Sequence, residues 1–235
     1  MKITILDGTT KNPLQAIGHR AGICWGGDTD DETKNISRAV DCIQSGHGRV
    51  LEFVGIEFAV EGISARAARE LYTHIGGSPT RLQSSTRYID YGDFCYYNPV
   101  ETPGEACENA STLNAIYREA MNSIAIYHRK LLEAGMSRED AANILPLGME
   151  TKVVMRTNLR MVENLMNQRL CTRAYKEMRL FAMELKLSLS RIDGEWKQIS
   201  DNLLICKCQE AGYCTEKKGC GLARRRDNTW YRGSK

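Results

Sequence analysis

The sequence predicts an α+β fold: a single domain of mixed helices around a small, mostly antiparallel sheet, followed by a cysteine-rich C-terminal appendage. Three observations lead there. Segments with apolar residues at helical spacing dominate, and only a few short runs alternate at period two. Those runs do not alternate with helices in the rhythm that builds a parallel βαβ sheet. Composition is even until about Asp193, after which cysteine, glycine and basic residues crowd the chain. The expected division is residues 1–192 as the main domain and 193–235 as the tail.

The elements follow in order. Lys2 to Leu6 alternates weakly and reads as an opening strand. Asn35 to Ser45 carries Ile36, Ala39, Val40 and Ile43 at helical spacing, and Gly46 and Gly48 end that helix. Val50 to Val60 sets Val54, Ile56, Phe58 and Val60 on one face, the pattern of a strand. Ser64 is placed to cap a helix through Ala65, Ala68, Leu71 and Tyr72. Tyr88 to Glu108 is irregular. A long helix from about Ser111 to Ala134 has Leu113, Ile116, Tyr117, Ala120, Ile124, Tyr127 and Leu131 as its stripe. Ser137 and Asp140 suit the start of a short helix that must stop before Pro146. Thr151 to Thr157 reads as a strand, and Asn158 to Leu170 and Thr172 to Leu189 as two further helices.

Hydrophobic residues make up 42% and charged residues 26% of the 235, an ordinary globular balance. A net charge of only +3 gives no global attraction to nucleic acid or membrane, and Arg224-Arg225-Arg226 reads as a solvated stretch. No apolar run approaches a membrane span, and the N-terminus lacks the apolar segment of a signal peptide. A cytoplasmic protein is the expectation. The nine cysteines are an odd number, and Cys24, Cys42, Cys95, Cys107 and Cys171 are scattered, which favours reduced thiols.

Chemistry concentrates in four places. The helix ending at His74 leads into a loop with Gly76, Gly77 and Arg81, followed by Gln83, Ser84, Ser85, Thr86 and Arg87. Such a loop adds nothing to a core, but its side chains grip phosphates and planar heterocycles, and its glycines let backbone N–H groups approach a ligand. It lacks the Gly-Lys-[Ser/Thr] ending of a nucleotide-triphosphate loop. The segment His47 to Glu52 places an acid at an otherwise apolar junction, where it is either exposed or paired. Arg160 and Asn164 lie four residues apart on one helix face, Asn158 stands at that helix's N-terminus and Arg169 near its end. In the tail, Cys206, Cys208, Cys214 and Cys220 provide four sulfurs for one closed structural zinc site, or else remain free thiols. No G-x-S-x-G, H-E-x-x-H or G-x-G-x-x-G pattern supports a serine hydrolase, zinc protease or Rossmann dehydrogenase.

In this order the segments resemble the flavin-dependent thymidylate synthases, from about Ala21 to Ser190. The resemblance is strongest in Arg69 to Tyr88, in Ile144-Leu145-Pro146-Leu147 through Thr151, and in Asn158-Leu159-Arg160 through Arg169 and Glu177. It implies a homotetramer with active sites between subunits. It also implies FAD reduced by NADPH, and transfer of a one-carbon unit from methylenetetrahydrofolate to C5 of dUMP. The resemblance assigns His74, with Ile75 beside it, to the flavin, together with Arg49, Glu52, Asn158, Arg160 and Asn164. It assigns Glu70, Gln83, Ser84, Ser85, Thr86 and Arg87 to the nucleotide, with Arg87 on the phosphate. Arg169 is the catalytic residue it implies, contacting the uracil and favouring its N3 anion, as a guanidinium that never loses its own proton can.

The chain also departs from the family pattern. The family's Arg-His-Arg signature reads Thr73-His74-Ile75, so both arginines are gone, and Arg81 is placed to restore one charge from a longer loop. A glutamate before the nucleotide-binding serine is replaced by Gln83, and an arginine before the Leu-Pro pair by Asn143. These changes keep open a related pyrimidine-nucleotide enzyme, such as a dUMP hydroxymethylase. A nucleic-acid-binding module built on the cysteine tail ranks last.

Overall fold

A computed structural model describes residues 1–74, 80–101 and 109–226, without the side chain of His74. Its elements are β1 (Lys2–Ile5), α1 (Pro13–Trp25), α2 (Glu32–Gln44), a 3-10 turn (Gly48–Phe53), β2 (Gly55–Ser64), α3 (Ala65–His74) and β3 (Thr80–Gln83). There follow α4 (Ala110–Glu133), α5 (Arg138–Ala141) with a second 3-10 turn (Ala142–Ile144), β4 (Glu150–Asn158), α6 (Leu159–Arg169), α7 (Lys176–Ser190), α8 (Gly194–Asn202) and α9 (Lys207–Ala211). The fold is α+β, as expected, with one four-stranded antiparallel sheet in the order β1-β2-β4-β3.

Two compact units make up the chain. One comprises Met1–Lys2, Val60–Tyr72 and Leu82–Val154, and the other Ile3–Ala59, Thr73–Arg81 and Met155–Lys235. Strands β2 and β4 each contribute residues to both.

In the second unit, α1 and α2 pair closely, because Gly18 and Gly22 leave one face of α1 without side chains. A Cβ on Gly18 would sit 1.8 Å from the Asn35 carbonyl oxygen, so the helices touch through backbone there. Leu14, Ile17, Ala39 and Cys42 are buried, as are Val54, Ile56 and Phe58 of the segment that enters the sheet. Helices α6 and α7 add Leu159, Val162, Leu165, Phe181, Leu185 and Leu189, and Phe58 meets Phe181 with ring centroids 5.9 Å apart.

The compositional break at Asp193 is not where this core ends. Trp196 of α8 is fully buried, with Ile199 and Leu204 beside it in sequence almost or wholly so. Its indole Nε1 donates to the Thr10 carbonyl at 2.8 Å. The same helix start closes α1: Asp193 accepts from the Asn12 N–H at 3.0 Å, and Glu195 accepts from Leu14 and Gln15 at 2.7 and 3.1 Å. Two acids 180 residues away in sequence thus do the work of a local N-cap. Burial raises the Glu195 carboxyl above the usual range, and those backbone N–H groups pull it partly back.

In the first unit, the end of β2 and the start of α3 are tied to β4's approach by the Ala65 N–H to Met149 carbonyl bond of 2.8 Å and the Arg66 N–H to Leu147 bond of 2.9 Å. The Ser64 hydroxyl caps α3, accepting from the Ala67 N–H at 3.0 Å. Helix α4 buries Met121 and His128, yet Leu113, Ile116, Ile126 and Tyr127 of the same helix are exposed.

Two local readings change. The strand expected over Val50 to Val60 begins only at Gly55, because Gly48–Phe53 winds into a 3-10 turn that turns Leu51 inward. The alternation that suggested a strand is supplied by Val54 onward. Edge strand β3, unforeseen, exposes all four residues and so carries no alternating pattern to read.

Candidate functional site

Helix α6 carries the first group of site residues. Its N-cap is Asn158, whose side-chain oxygen accepts from the Met161 N–H at 3.1 Å, so this amide is committed to starting the helix. At the second residue of α6, the Arg160 guanidinium donates to Glu52 Oε1 at 2.5 Å, and Glu52 Oε2 lies 3.5 Å from Arg49 Nη1. Glu52 is therefore paired, standing between two arginines and tying the 3-10 turn to α6. Half-exposed ion pairs of this kind add little to stability, about 0–1 kcal/mol, but they fix the direction of the guanidinium.

Arg160 and Asn164 share a face as their spacing requires. That face opens on a cleft of about 270 Å³ with His47, Gly48, Glu163 and Asn167 on its walls. Gly48 lies beside Arg160, whose Nε a Cβ at that position would meet at an ordinary contact distance of 3.4 Å. Burial, with the negative charge of Glu210, pushes the Glu163 carboxyl up, and Arg160 opposes them. His47, Glu163 and Asn167 were not assigned from sequence; Asn167 follows Asn164 by three residues on α6, and that spacing was the available signal.

Arg169, the last residue of α6, lines a second cleft of about 580 Å³ together with Asn164 and Asn167. A cation at a helix C-terminus is favoured by the helix dipole. Along α6 the site residues thus run from Arg160 in one cleft, through Asn164 and Asn167 in both, to Arg169 in the other.

The second group, apart from Arg81, lies in the first unit. Gln83 accepts from the Tyr72 hydroxyl at 2.8 Å and donates from Nε2 to Thr151 Oγ1 at 3.4 Å, so its amide is held on both ends. The Ser84 N–H donates to the Lys152 carbonyl at 3.0 Å, the last bond before the loop leaves the sheet. Ser85 Oγ then accepts from the Arg87 N–H at 3.2 Å and forms a tight turn. This turn presents Thr86 half-buried and Arg87 exposed, with Arg87 Nε 3.1 Å from the equally exposed Glu139 of α5. Glu70 is half-buried on α3, and Arg81 is exposed on β3. Ile75 and the His74 side chain lie outside the described residues.

The tail returns to α6. Cys206 starts α9, which packs against α6, and its Sγ lies 3.2 Å from Cys208 Sγ. Cys206, Cys208, Cys214 and Cys220 all line the cleft that holds Arg169, and Cys171 joins them. Burial and the neighbouring Cys206 thiol push the Cys208 thiol up to about 12, with Cys171 and Cys214 adding to the effect. The Thr172 hydroxyl and the Leu222 N–H hold the Cys220 thiol below its usual value. As placed, no three of the described Cys, His, Asp and Glu residues form a metal-holding group, so the four tail sulfurs line a wall without converging.

The fold is thus an α+β domain with guanidinium and carboxamide groups arrayed along one helix, a row of hydrogen-bond donors facing two clefts. The chain belongs to the Thy1 family, described as thymidylate synthase complementing protein, whose profile matches residues 5–192. It is 35% identical over 178 residues to a flavin-dependent thymidylate synthase of Sulfolobus acidocaldarius, covering 75% of this chain and 65% of that protein. It is 31% identical over 220 residues to the flavin-dependent thymidylate synthase of Geobacter sulfurreducens, covering 90% of this chain and 92% of the relative. Among solved structures, the flavin-dependent thymidylate synthase of Helicobacter pylori, complexed with FAD and dUMP, superposes with a TM-score of 0.65 at 20% identity, over 86% of this chain and 99% of that one. A UMP/dUMP methylase from Streptomyces cacaoi, bound with 5-Br dUMP, superposes with a TM-score of 0.70 at 15% identity, over 87% of this chain and 96% of that one. These two likenesses concern the fold.

Proposed function

We propose that this protein is a flavin-dependent thymidylate synthase that converts dUMP to dTMP, with methylenetetrahydrofolate as one-carbon donor and NADPH as reductant of a bound FAD. The observation that carries the reading is the α6 array of Arg160, Asn164 and Arg169, with Glu52 and Arg49 fixing its first member. The residues present suit part of such a cofactor: Arg160 offers a guanidinium to phosphate, and Asn164 and Asn167 offer amides to hydroxyl or ring atoms. Bound FAD would supply the hydride chemistry, and the protein supplies binding, orientation and charge.

The chain's own contribution is electrostatic. Arg87 and the Ser85–Thr86 turn would take the nucleotide phosphate. To do so Arg87 exchanges an exposed carboxylate partner, a modest loss, for a charge-assisted bidentate bond. Arg169 would stabilise negative charge on the uracil ring through its guanidinium. Gln83, already oriented by Tyr72 and Thr151, would hold an exchangeable edge of the nucleotide. A homotetramer with sites shared between subunits belongs to the same reading, and the exposed apolar residues of α4 support an interface. No described helix is long and apolar enough to cross a membrane.

A second reading is a related pyrimidine-nucleotide enzyme, such as a dUMP hydroxymethylase. It is favoured by Gln83, a neutral amide where the family pattern has an acid, and by Thr73 in place of a signature arginine. The test of the main reading is cofactor content with a mutant. Purified protein should release FAD on denaturation. Arg169→Ala should keep the flavin and lose turnover by about a hundredfold or more, the loss typical of removing one charge-stabilising group. Flavin-free protein that cannot be reconstituted, or full turnover in Arg169→Ala, would overturn it.

A further inference from the structure

The tail carries a charge balance of its own. Residues 206–226 hold six cations, Lys207, Lys217, Lys218, Arg224, Arg225 and Arg226, against the two acids Glu210 and Glu216. That is a balance of +4, so the +3 of the whole chain leaves −1 for the other 214 of its 235 residues. The run Arg224-Arg225-Arg226 reads from sequence as solvated, but the fold turns it back on Cys214. The Cys214 N–H donates to the Arg224 carbonyl at 2.6 Å, and Cys214 and Arg225 form a parallel bridge. Arg225 and Arg226 thereby line one open groove of about 540 Å³ with Tyr213 and Lys217. We propose that this groove is a docking surface for single-stranded nucleic acid, with Lys217, Arg225 and Arg226 on the phosphates and Tyr213 against a base.

Two features support this besides the concentration of charge. The first is that the charge is uncommitted. Elsewhere, exposed cations stand beside acids, as Lys34, Arg87, Lys152 and Lys197 do. Lys217, Arg225 and Arg226 are exposed, and among the described residues no acid pairs with them. The one acid on the groove, Glu216, is already taken by Arg173 at 3.0 Å. A phosphate that enters here displaces water rather than a carboxylate, and the counterions it sheds drive the binding. The second feature is the aromatic wall. Tyr213 is half-buried and lines the groove with the cations. A ring beside a basic track stacks bases that have no partner strand, and it does so for any base, since each has a flat face. A duplex keeps its base faces inside its own stack, and a bilayer has none. The tyrosine therefore favours a single strand over either.

The inference does not depend on the proposed reaction, and it is tested on the full-length chain. The probe is a fluorescein-labelled oligodeoxyadenylate followed by anisotropy. At about 0.1 M salt the Kd should be on the order of 10 µM, within the usual range of binding without sequence preference. Three phosphate contacts on a single strand should make log Kd rise with log salt concentration at a slope of about 2. Replacing both arginines, Arg225→Gln with Arg226→Gln, should bring that slope to about 0.7 and weaken binding about tenfold or more. Tyr213→Ala should weaken binding about fivefold or more and leave the slope as it was. Lys197→Gln, which removes an exposed cation of α8, should change neither. An excess of dUMP should not displace the oligonucleotide. Should the double variant fail to fold, the salt slope of the unmutated protein decides alone. A slope near zero there, an unchanged slope in a folded double variant, or displacement by dUMP would overturn the proposal. So would capture of the protein by vesicles of anionic lipid with no binding of the oligonucleotide.

Discussion

Trp196 offers the sharpest test of how this chain is put together, because it lies beyond the family-matched region and yet is fully buried. Two substitutions separate its two roles. Trp196→Phe keeps most of the apolar volume but leaves the Thr10 carbonyl without the indole N–H it accepts from at 2.8 Å. The loss of that one part-buried bond should cost about 0.5–1.5 kcal/mol. Trp196→Ala removes the ring as well, and a large-to-small change at a fully buried aromatic costs about 3–5 kcal/mol. Against a total stability of about 5–15 kcal/mol, the alanine variant should be marginal and the phenylalanine variant well folded. Urea denaturation followed by far-UV circular dichroism measures both midpoints at once. The reasoning is refuted if Trp196→Ala leaves the midpoint unchanged, since residues from Asp193 onward would then be an appendage rather than core.

Other predictions follow from the same contacts. For Glu163, burial and Glu210 raise the folded carboxyl above its ordinary value of 4.5, so the folded state favours the protonated form. Stability from this group is complete below that ordinary value and is lost as pH rises through the raised one. Glu163→Gln should therefore flatten the fall in melting temperature between acid and neutral pH; an unchanged pH profile would discount the burial argument. Glu52→Gln should leave stability within about 1 kcal/mol, because the pairs it makes are partly exposed. It should nonetheless weaken FAD binding by freeing Arg160 and Arg49 from their common anchor, which titration of apoprotein with FAD would show as a raised Kd.

The helices and strands that bury one face were legible in the sequence, since a stripe such as Leu159, Val162, Leu165 and Met166 has a period. Asn158 was readable as an N-cap for the same local reason. Helix α1 was not: its apolar residues are interrupted by the glycines that let α2 approach, and its capping acids come from α8. The clefts were half legible. Arg160 and Asn164 follow from helical spacing, which also reaches Asn167 on the same helix, whereas His47 enters through packing against a neighbouring element. That Cys171 lines the same cleft as the tail cysteines is set by tertiary packing, which no spacing rule encodes.

The claim that matters most is the reaction. The measurement is the mass of the pyrimidine nucleotide formed when the purified protein, loaded with FAD, is given dUMP, methylenetetrahydrofolate and NADPH. The expected product is dTMP, heavier than dUMP by one methylene unit, formed only when all components are present. A hydroxymethyl nucleotide would contradict the thymidylate reading in favour of the related enzyme, and unchanged dUMP would contradict both.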